Sequence, residues 1–134
     1  MDAIKTVELS DGRVLLKSRD NANQGYRKVA ISTDGGATHG PVTQDTELPD
    51  PANNGAIARM FPAEAQGSAD SMKLIFTNSK SGRENVSARI SCDDGATWPG
   101  VRTIRAGWPY PRSGPTWGSF FVPTRLPGPP PKRA

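Results

Sequence analysis

The 134-residue sequence has little of the side-chain chemistry from which metal sites and many catalytic centres are built. It contains one cysteine, Cys92, and one histidine, His39. An internal disulfide needs two cysteines, and a zinc site needs about four Cys, His or acidic ligands. Ser-His-Asp chemistry would need a G-x-S-x-G or similar nucleophile motif, which is lacking. We therefore expect no metal and no other cofactor.

Long apolar runs and a basic face are also missing. No window approaches the ~18 consecutive apolar residues of a membrane-spanning helix, so no membrane span is predicted. All 13 Asp and Glu lie at or before Asp94, and residues 1–106 also hold 13 of the 17 Lys and Arg. The net charge of +4 thus comes from the C-terminal end, which argues against nucleic-acid binding. The N-terminus lacks the basic-then-apolar layout of a secretory signal, and the location in the cell is left open.

Proline divides the sequence into two parts. Residues 107–134 contain eight of the 13 prolines and end in Pro-Gly-Pro-Pro-Pro-Lys-Arg-Ala. Proline lacks the backbone N–H that helices and central strands use, so this part cannot continue a sheet. We predict a folded domain over residues 1–106 and a Pro-rich tail over 107–134, with disorder over 122–134.

The domain shows short runs of β-forming residues separated by turn residues, and no convincing 3.6-residue period. An all-β fold is the prediction. Ser10-Asp11-Gly12, between two such runs, is typical of a tight hairpin. Residues 40–71 form a polar connection too long to be an idle loop. Six segments are predicted as strands: 6–9, 13–17, 26–32, 72–77, 86–91 and 101–104.

An internal repeat carries the most information. The octapeptides 32–39 and 91–98 share the pattern S-x-D-x-G-x-T-aromatic, and their first residues are 59 positions apart. The Asp can accept hydrogen bonds from turn N–H groups, the Gly permits a positive φ, and the Thr hydroxyl adds a local bond. Both aspartates of the pair 93–94 are assigned to the second turn. The positions that define the two turns are Ser32, Asp34, Gly36 and Thr38, and Ser91, Asp93, Gly95, Thr97 and Trp98.

These octapeptides resemble the Asp-box, or BNR repeat, of sialidases and other β-propellers. A wider likeness runs from about Thr6 to Ile104 and looks like the central part of a bacterial exo-α-sialidase, or neuraminidase. It is carried by V-E-L-S-D-G-R-V-L-L, S-R-D, G-Y-R-K-V-A, L-P-D-P and R-x-x-V-S-A-R-I-S. The resemblance implies a partial propeller of about two four-stranded antiparallel blades out of six. In that family the Asp-boxes are structural and do not touch substrate.

The resemblance also implies a chemistry. Sialidases remove terminal α-linked sialic acids from glycoproteins, glycolipids and oligosaccharides, and their nucleophile is a Tyr instead of a carboxylate. The substrate carries its own carboxylate, which would repel an attacking Asp or Glu. Glu8 matches the Glu that helps to deprotonate the Tyr, and Tyr110 lies near the expected place of the nucleophile. Arg27 and Arg83 match two of the three arginines that hold the substrate carboxylate, whereas Arg89 is interpreted as an exposed strand position.

Parts of the family pattern are not found. The acid/base Asp and the first carboxylate-binding Arg belong to an opening blade that this sequence does not contain. Tyr110 lies between Pro109 and Pro111, which hinder normal strand pairing. Two blades are also fewer than the four that a closed propeller needs. We expect hydrolysis by this chain alone to be absent or very weak, and we interpret residues 107–134 as sequence outside the family pattern.

Two other functions stay open. One is a non-catalytic propeller module that binds glycan or protein and uses the Asp-boxes as scaffold only. This alternative predicts that Glu8, Arg27 and Arg83 lie more than ~15 Å apart or on opposite blade faces, since pocket residues must converge on one ligand. The other is a glycosidase with two carboxylates about 5–10 Å apart. For this function Glu8 has no evident carboxylate partner in the sequence, and the positions of Glu47, Asp50 and Glu64, in the connection 40–71, are left open.

Overall fold

The computed structural model describes residues 2–107, and in this range the chain is all-β, as predicted. The strands are β1 (Asp2–Glu8), β2 (Val14–Arg19), β3 (Tyr26–Ser32), β4 (Thr43–Pro49), β5 (Gly55–Arg59), β6 (Leu74–Ser81), β7 (Glu84–Ser91) and β8 (Gly100–Arg105). A three-residue 3-10 helix, Asp70–Met72, precedes β6. No helix within the described range is both long enough and apolar enough to cross a membrane.

The strands form two sheets of four. Blade 1 has the order β1-β2-β3-β4 and blade 2 the order β5-β6-β7-β8, and every neighbouring pair is antiparallel. In each blade the octapeptide repeat joins the third strand to the fourth. Two equivalent four-stranded units confirm the partial propeller that the repeat indicates.

Strands β4 and β5 are the two that the sequence did not reveal, because both lie inside the predicted connection 40–71. Strand β4, T-Q-D-T-E-L-P, is polar and mostly exposed, so its alternation is hidden. Strand β5, G-A-I-A-R, has only five residues. The predicted strand 26–32 has the bounds of β3, and the other five predicted strands are present with shifted bounds. Tyr110 and the expected disorder over 122–134 lie outside the described residues.

The core lies between the two blades. Leu15 and Leu48 of blade 1 are 4% and 0% exposed, and they belong to one cluster with Leu74, Phe76 and Trp98 of blade 2. The inner strands β1 and β5 also contact each other. Because apolar burial is the main stabilising term in folding, the two blades stabilise each other through this shared core.

Both octapeptides form the same hydrogen-bonded turn. Asp34 accepts from the Thr38 backbone N at 2.8 Å, the Thr38 Oγ1 at 2.5 Å and the Ser32 Oγ at 2.7 Å. Asp93 accepts the equivalent bonds from Thr97 at 2.9 and 2.5 Å and from the Ser91 Oγ at 2.7 Å. Such bonds favour the charged carboxylate over the neutral acid.

The two box carboxylates should make the protein sensitive to acid. The Thr38 side chain lowers the pKa of Asp34, with help from the Thr38 backbone N–H and Ser32. Burial raises the pKa of Asp93, but the bonds from Thr97 and Ser91 outweigh it, so this pKa is also lowered. A lowered folded pKa gives stability that is present above the unfolded value of ~3.9 and is lost as the pH falls below it.

We therefore expect the urea midpoint of unfolding to fall steeply as the pH drops from about 5 to below about 3. The double variant D34N/D93N should be less stable at pH 7 and should lose less on acidification. Fluorescence-detected urea unfolding at several pH values measures both effects. Equal pH dependence in the variant and in the wild-type protein would contradict this role of the boxes.

Candidate functional site

In each blade the strand ends and the loops that join them lie on two opposite sides, which differ in chemistry. We call these sides the box edge and the arginine edge. The box edge holds the β1–β2 hairpin at Ser10–Gly12 and both octapeptides, 32–39 and 91–98. The arginine edge, at the other strand ends, holds the end of β2 with Arg19, the start of β3 with Arg27 and the β6–β7 hairpin with Arg83. Three of the protein's cations thus lie at one edge, away from the boxes.

Asp94 links the blades at the box edge. One of its carboxylate oxygens accepts from the Ser10 backbone N at 3.0 Å and the other accepts from the Ser10 hydroxyl, while its own N–H donates to the Met72 O at 3.1 Å. Asp94 has a φ of 57°, and Gly35 takes its place in the first box with a φ of 71°. Asp94 thus lies within the second box, but its side chain binds the other blade, and its backbone adopts a left-handed conformation that is unfavourable for residues other than glycine.

Glu8 lies at the box edge, far from the arginines. It pairs with Val14, which pairs with Ser32, and its exposed side chain accepts from the Gln66 Nε2 at 3.2 Å. Arg27 is five residues from Ser32 along β3, which corresponds to about 16 Å at the usual strand rise. The expected convergence of Glu8 with the two arginines is not found. For these three residues, the separation favours the non-catalytic alternative.

Arg27 lies in the interface between the blades and is only 2% exposed. Its Nη2 donates to the Asn53 O at 2.5 Å and to the Asn53 Oδ1 at 3.3 Å, and lies 3.6 Å from the Asp50 Oδ1. The guanidinium also lies over the Phe76 ring, with its carbon 5.5 Å from the centroid. Burial lowers the pKa of Arg27, and the negative charge of Asp50 opposes this effect.

Gly55 makes room for this arrangement at the start of β5. A Cβ at this position would lie 2.7 Å from the Phe76 ring and 3.1 Å from the Arg27 Nη2. Real Cβ atoms are not found that close to a ring carbon. The absence of a side chain at Gly55 therefore lets the Arg27 guanidinium reach the inner strand of blade 2.

Arg19 is a candidate that the sequence reasoning missed. It ends β2 and is half-buried, whereas Arg27 is almost fully buried. Ser18 pairs with Lys28, so Arg19 and Arg27 are the next residues along these two neighbouring strands. The positive charge of Arg19 contributes to lowering the pKa of Arg27. Arg19 is thus the guanidinium beside Arg27 that a ligand can reach more easily. The sequence contains one signal for this position. Arg19 is two residues from Lys17 and four from Leu15 in β2, so it lies on the same face of the strand as these two buried residues.

Two buried carboxylates stiffen the loops of the arginine edge. Asp20 and Asp50 are 0% and 2% exposed, and the Asp20 backbone N donates to the Asp50 Oδ2 at 2.6 Å. The Gln24 backbone N–H is the main cause that lowers the pKa of Asp20, and burial opposes it. Lys28 adds an ion pair to Asp20 at 3.1 Å. The segments around Arg19 and Arg27 are held by charge-assisted bonds.

Three acidic residues of the connection 40–71 were considered for a two-carboxylate glycosidase. None of them is shown in contact with Glu8. Asp50 is engaged with Asp20 and also accepts from the Ala52 backbone N at 2.9 Å. Glu47 accepts from the Trp98 backbone N at 2.5 Å. Glu64 is exposed in the loop before the 3-10 helix. These contacts give no support to a catalytic pair that includes Glu8.

The hairpin between β6 and β7 presents Arg83 at the arginine edge. Arg83 is exposed, and the carbonyl oxygen of the preceding Gly82 accepts from the Asn53 Nδ2 at 2.8 Å. Arg89, interpreted as an exposed position, is instead only 5% exposed, and its Nε finds no hydrogen-bond partner among the described residues. It lies on the β7 face that also buries Ser87 and Ser91, and burial lowers its pKa.

Comparison with known proteins relates this chain to sialidases. The chain is 57% identical over 109 residues to a sialidase of Micromonospora viridifaciens. The matched region covers 80% of this chain and 17% of that protein. Its fold is similar to that of a solved structure, Hadza microbial sialidase Hz136, with a TM-score of 0.59 and 23% identity, over 78% of this chain and 21% of that one. The chain thus spans about a fifth of the length of the proteins it matches. Comparison with models of protein families gives no match.

Proposed function

Because this chain is a sialidase homologue over four fifths of its length, we propose that it forms two blades of an exo-α-sialidase that removes terminal sialic acids from glycoconjugates. The observation that carries the proposal is the 57% identity over 109 residues. The partial propeller and the cluster of arginines at one edge support it. The proposed ligand is a sialylated glycoprotein, glycolipid or oligosaccharide.

The proposed role of the arginine edge is to bind the carboxylate of the sugar. Guanidinium groups stay charged at any working pH and offer two parallel N–H donors to a carboxylate. Arg83 is exposed and Arg27 lies behind the surface, with the half-buried Arg19 beside it. In the proposal, Arg83 and Arg19 contact the carboxylate directly, and Arg27 adds positive charge from within the blade interface.

The proposed nucleophile is a tyrosine, because a neutral phenol avoids repulsion by the substrate carboxylate. Tyr110 remains the candidate for this role. The partner Glu must lie within hydrogen-bond reach of the tyrosine and near the arginines, since both act on one sugar ring. Glu8, at the box edge, does not meet this condition, so the proposal does not use it.

Binding of sialic acid to the purified chain tests the proposal. N-acetylneuraminic acid should shift NMR signals of the Arg19 and Arg27 side chains and of the Arg83 backbone, whereas its neutral methyl ester should not. Arg83→Ala should weaken binding about tenfold or more, because a charged hydrogen bond contributes about 1.5–3 kcal/mol. Arg102→Ala is the matched control, since Arg102 is an exposed cation on β8. An equal response to the acid and to the ester would contradict the proposal.

A second expected result concerns turnover by the same chain. Release of a fluorescent group from a sialoside should stay at background level, and Glu8→Gln should change nothing. Turnover that Glu8→Gln abolishes would show that Glu8 is catalytic after all and that two blades suffice.

The separation of Glu8 from the arginines supports a second candidate function, a non-catalytic module that binds glycan or protein. This candidate uses the boxes as scaffold and gives the arginines no special preference for a carboxylate. The comparison of the acid with its methyl ester distinguishes the two functions.

A further inference from the structure

Asn53 connects two of the three arginine-bearing segments of the arginine edge, the start of β3 and the β6–β7 hairpin. Its main-chain O and its Oδ1 accept from the Arg27 Nη2 at 2.5 and 3.3 Å. Its Nδ2 donates to the O of Gly82, the residue before Arg83, at 2.8 Å. One half-buried side chain therefore bonds to blade 1 with its oxygen and to the β6–β7 hairpin of blade 2 with its nitrogen.

The chemistry of the two contacts requires an amide. Asn offers an acceptor and a donor at the end of a short side chain, whereas Asp of the same size offers acceptors only. The Arg27 side needs an acceptor, and the Gly82 carbonyl needs a donor. Asp at this position would keep the first contact and would place a negative charge against the carbonyl oxygen in the second.

The loop that carries Asn53 is itself fixed. The Ala52 backbone N donates to the Asp50 Oδ1 at 2.9 Å, and Ala52 has a φ of 59°, in the left-handed region. Residues other than glycine adopt this region at a cost, so the surrounding contacts must hold the loop there. The buried Asp50 thus holds the backbone of the residue that precedes Asn53.

We infer that Asn53 is a positioning residue that sets the distance and orientation of Arg83 relative to Arg27. The use of this geometry for a sugar carboxylate rests on the proposed function, whereas the coupling of the two segments rests on the hydrogen bonds alone. Binding sites need such support because a ligand-binding side chain must be held within about 0.5 Å of its productive geometry.

The coupling is tested by NMR relaxation of the full chain with the variants Asn53→Asp and Asn53→Ala. In both variants we expect the order parameters of the Gly82 and Arg83 amides to fall from about 0.85 towards 0.6 or less. The guanidinium signals of Arg27 should persist in Asn53→Asp, because both acceptors remain. Asn54→Asp is the matched control, since Asn54 is the exposed neighbour. Unchanged order at Gly82 and Arg83 in both Asn53 variants would overturn the inference.

The consequence for binding is measured in the same samples. Asn53→Asp should weaken binding of N-acetylneuraminic acid about five- to tenfold, as expected for the loss of one hydrogen bond, while Asn54→Asp binds like the wild-type protein. Wild-type affinity in an Asn53→Asp variant with a disordered hairpin would overturn the positioning role. A wild-type chain that does not distinguish the acid from its methyl ester would overturn the proposed function, and the order parameters would still decide the coupling.

Discussion

Replacement of Trp98 by alanine is expected to destabilise the protein by about 3–5 kcal/mol, the usual cost of removing a buried aromatic side chain. Trp98 is 2% exposed and packs edge-on against Phe76, with 6.1 Å between ring centroids. Its Nε1 donates to the Asp45 Oδ2 at 3.1 Å and its backbone N to the Glu47 Oε2 at 2.5 Å. The Lys17 Nζ lies 4.9 Å from the centroid of the Trp98 ring. Lys17 and Asp45 belong to blade 1, whereas Phe76 belongs to blade 2. Loss of the Trp98 side chain should therefore remove apolar packing within blade 2 and weaken the contact between the two blades.

The equivalent position of the first box provides a control inside the same chain. His39 takes the place of Trp98 in the repeat, but it is exposed, and its Nδ1 lies 2.9 Å from the O of the adjacent Gly40. His39→Ala should therefore change stability by no more than about 0.5 kcal/mol. Urea unfolding of both variants measures the contrast. Similar losses for Trp98→Ala and His39→Ala would show that the blade interface does not hold the fold together.

The largest electrostatic effect is expected from Asp45→Asn, which should destabilise the protein by about 3–5 kcal/mol because it leaves a buried cation without its partner. The Lys17 side chain is 1% exposed, and its Nζ lies 2.5 Å from the Asp45 Oδ2. Replacement of the pair by uncharged groups avoids this cost, so Lys17→Met should rescue Asp45→Asn. The double variant is expected within about 1 kcal/mol of the wild-type protein.

The pH dependence of Asp45→Asn has a definite sign. Burial lowers the pKa of Lys17, the charge of Asp45 opposes this, and Arg27 lowers it further. Without Asp45 only the lowering effects remain. A folded pKa below the unfolded value of ~10.4 means that the unfolded state binds more protons, so stability rises with pH. Asp45→Asn should therefore recover part of its loss as the pH rises from neutral towards the unfolded pKa of ~10.4. Urea unfolding at several pH values measures this recovery. If the loss of stability in Asp45→Asn does not change as the pH rises, it is not caused by a buried Lys17 charge without a partner.

The repeat explains why much of the fold could be predicted. The spacing between Ser32 and Ser91 defines the unit, and the hydrogen-bonding capacity of Asp, Gly and Thr predicts the turn that Asp34 and Asp93 make. Runs of β-forming residues bounded by turn residues then predict strands such as β3 and β7. Strand β4 could not be found in this way, since an outer strand at the sheet edge is exposed on most of its residues.

The candidate site was harder to predict. A motif gives the position of a residue in the chain, but it does not show at which end of the strands the side chain lies. Glu8 and Arg27 lie at opposite ends of blade 1, since the register pairs Glu8 with Val14 and Val14 with Ser32. Burial was equally hidden. Arg89 alternates with Ser87 and Ser91, a polar pattern typical of an exposed face, yet this face packs towards blade 1.

Gly55 has a consequence for how this protein can vary over evolution. A methyl group there would overlap the Phe76 ring, which in turn lies against the Arg27 guanidinium. A homologue with alanine or serine at position 55 must accordingly carry a smaller side chain at position 76. The two sites are expected to covary across an alignment, and lineages that keep the large aromatic ring should retain glycine opposite it.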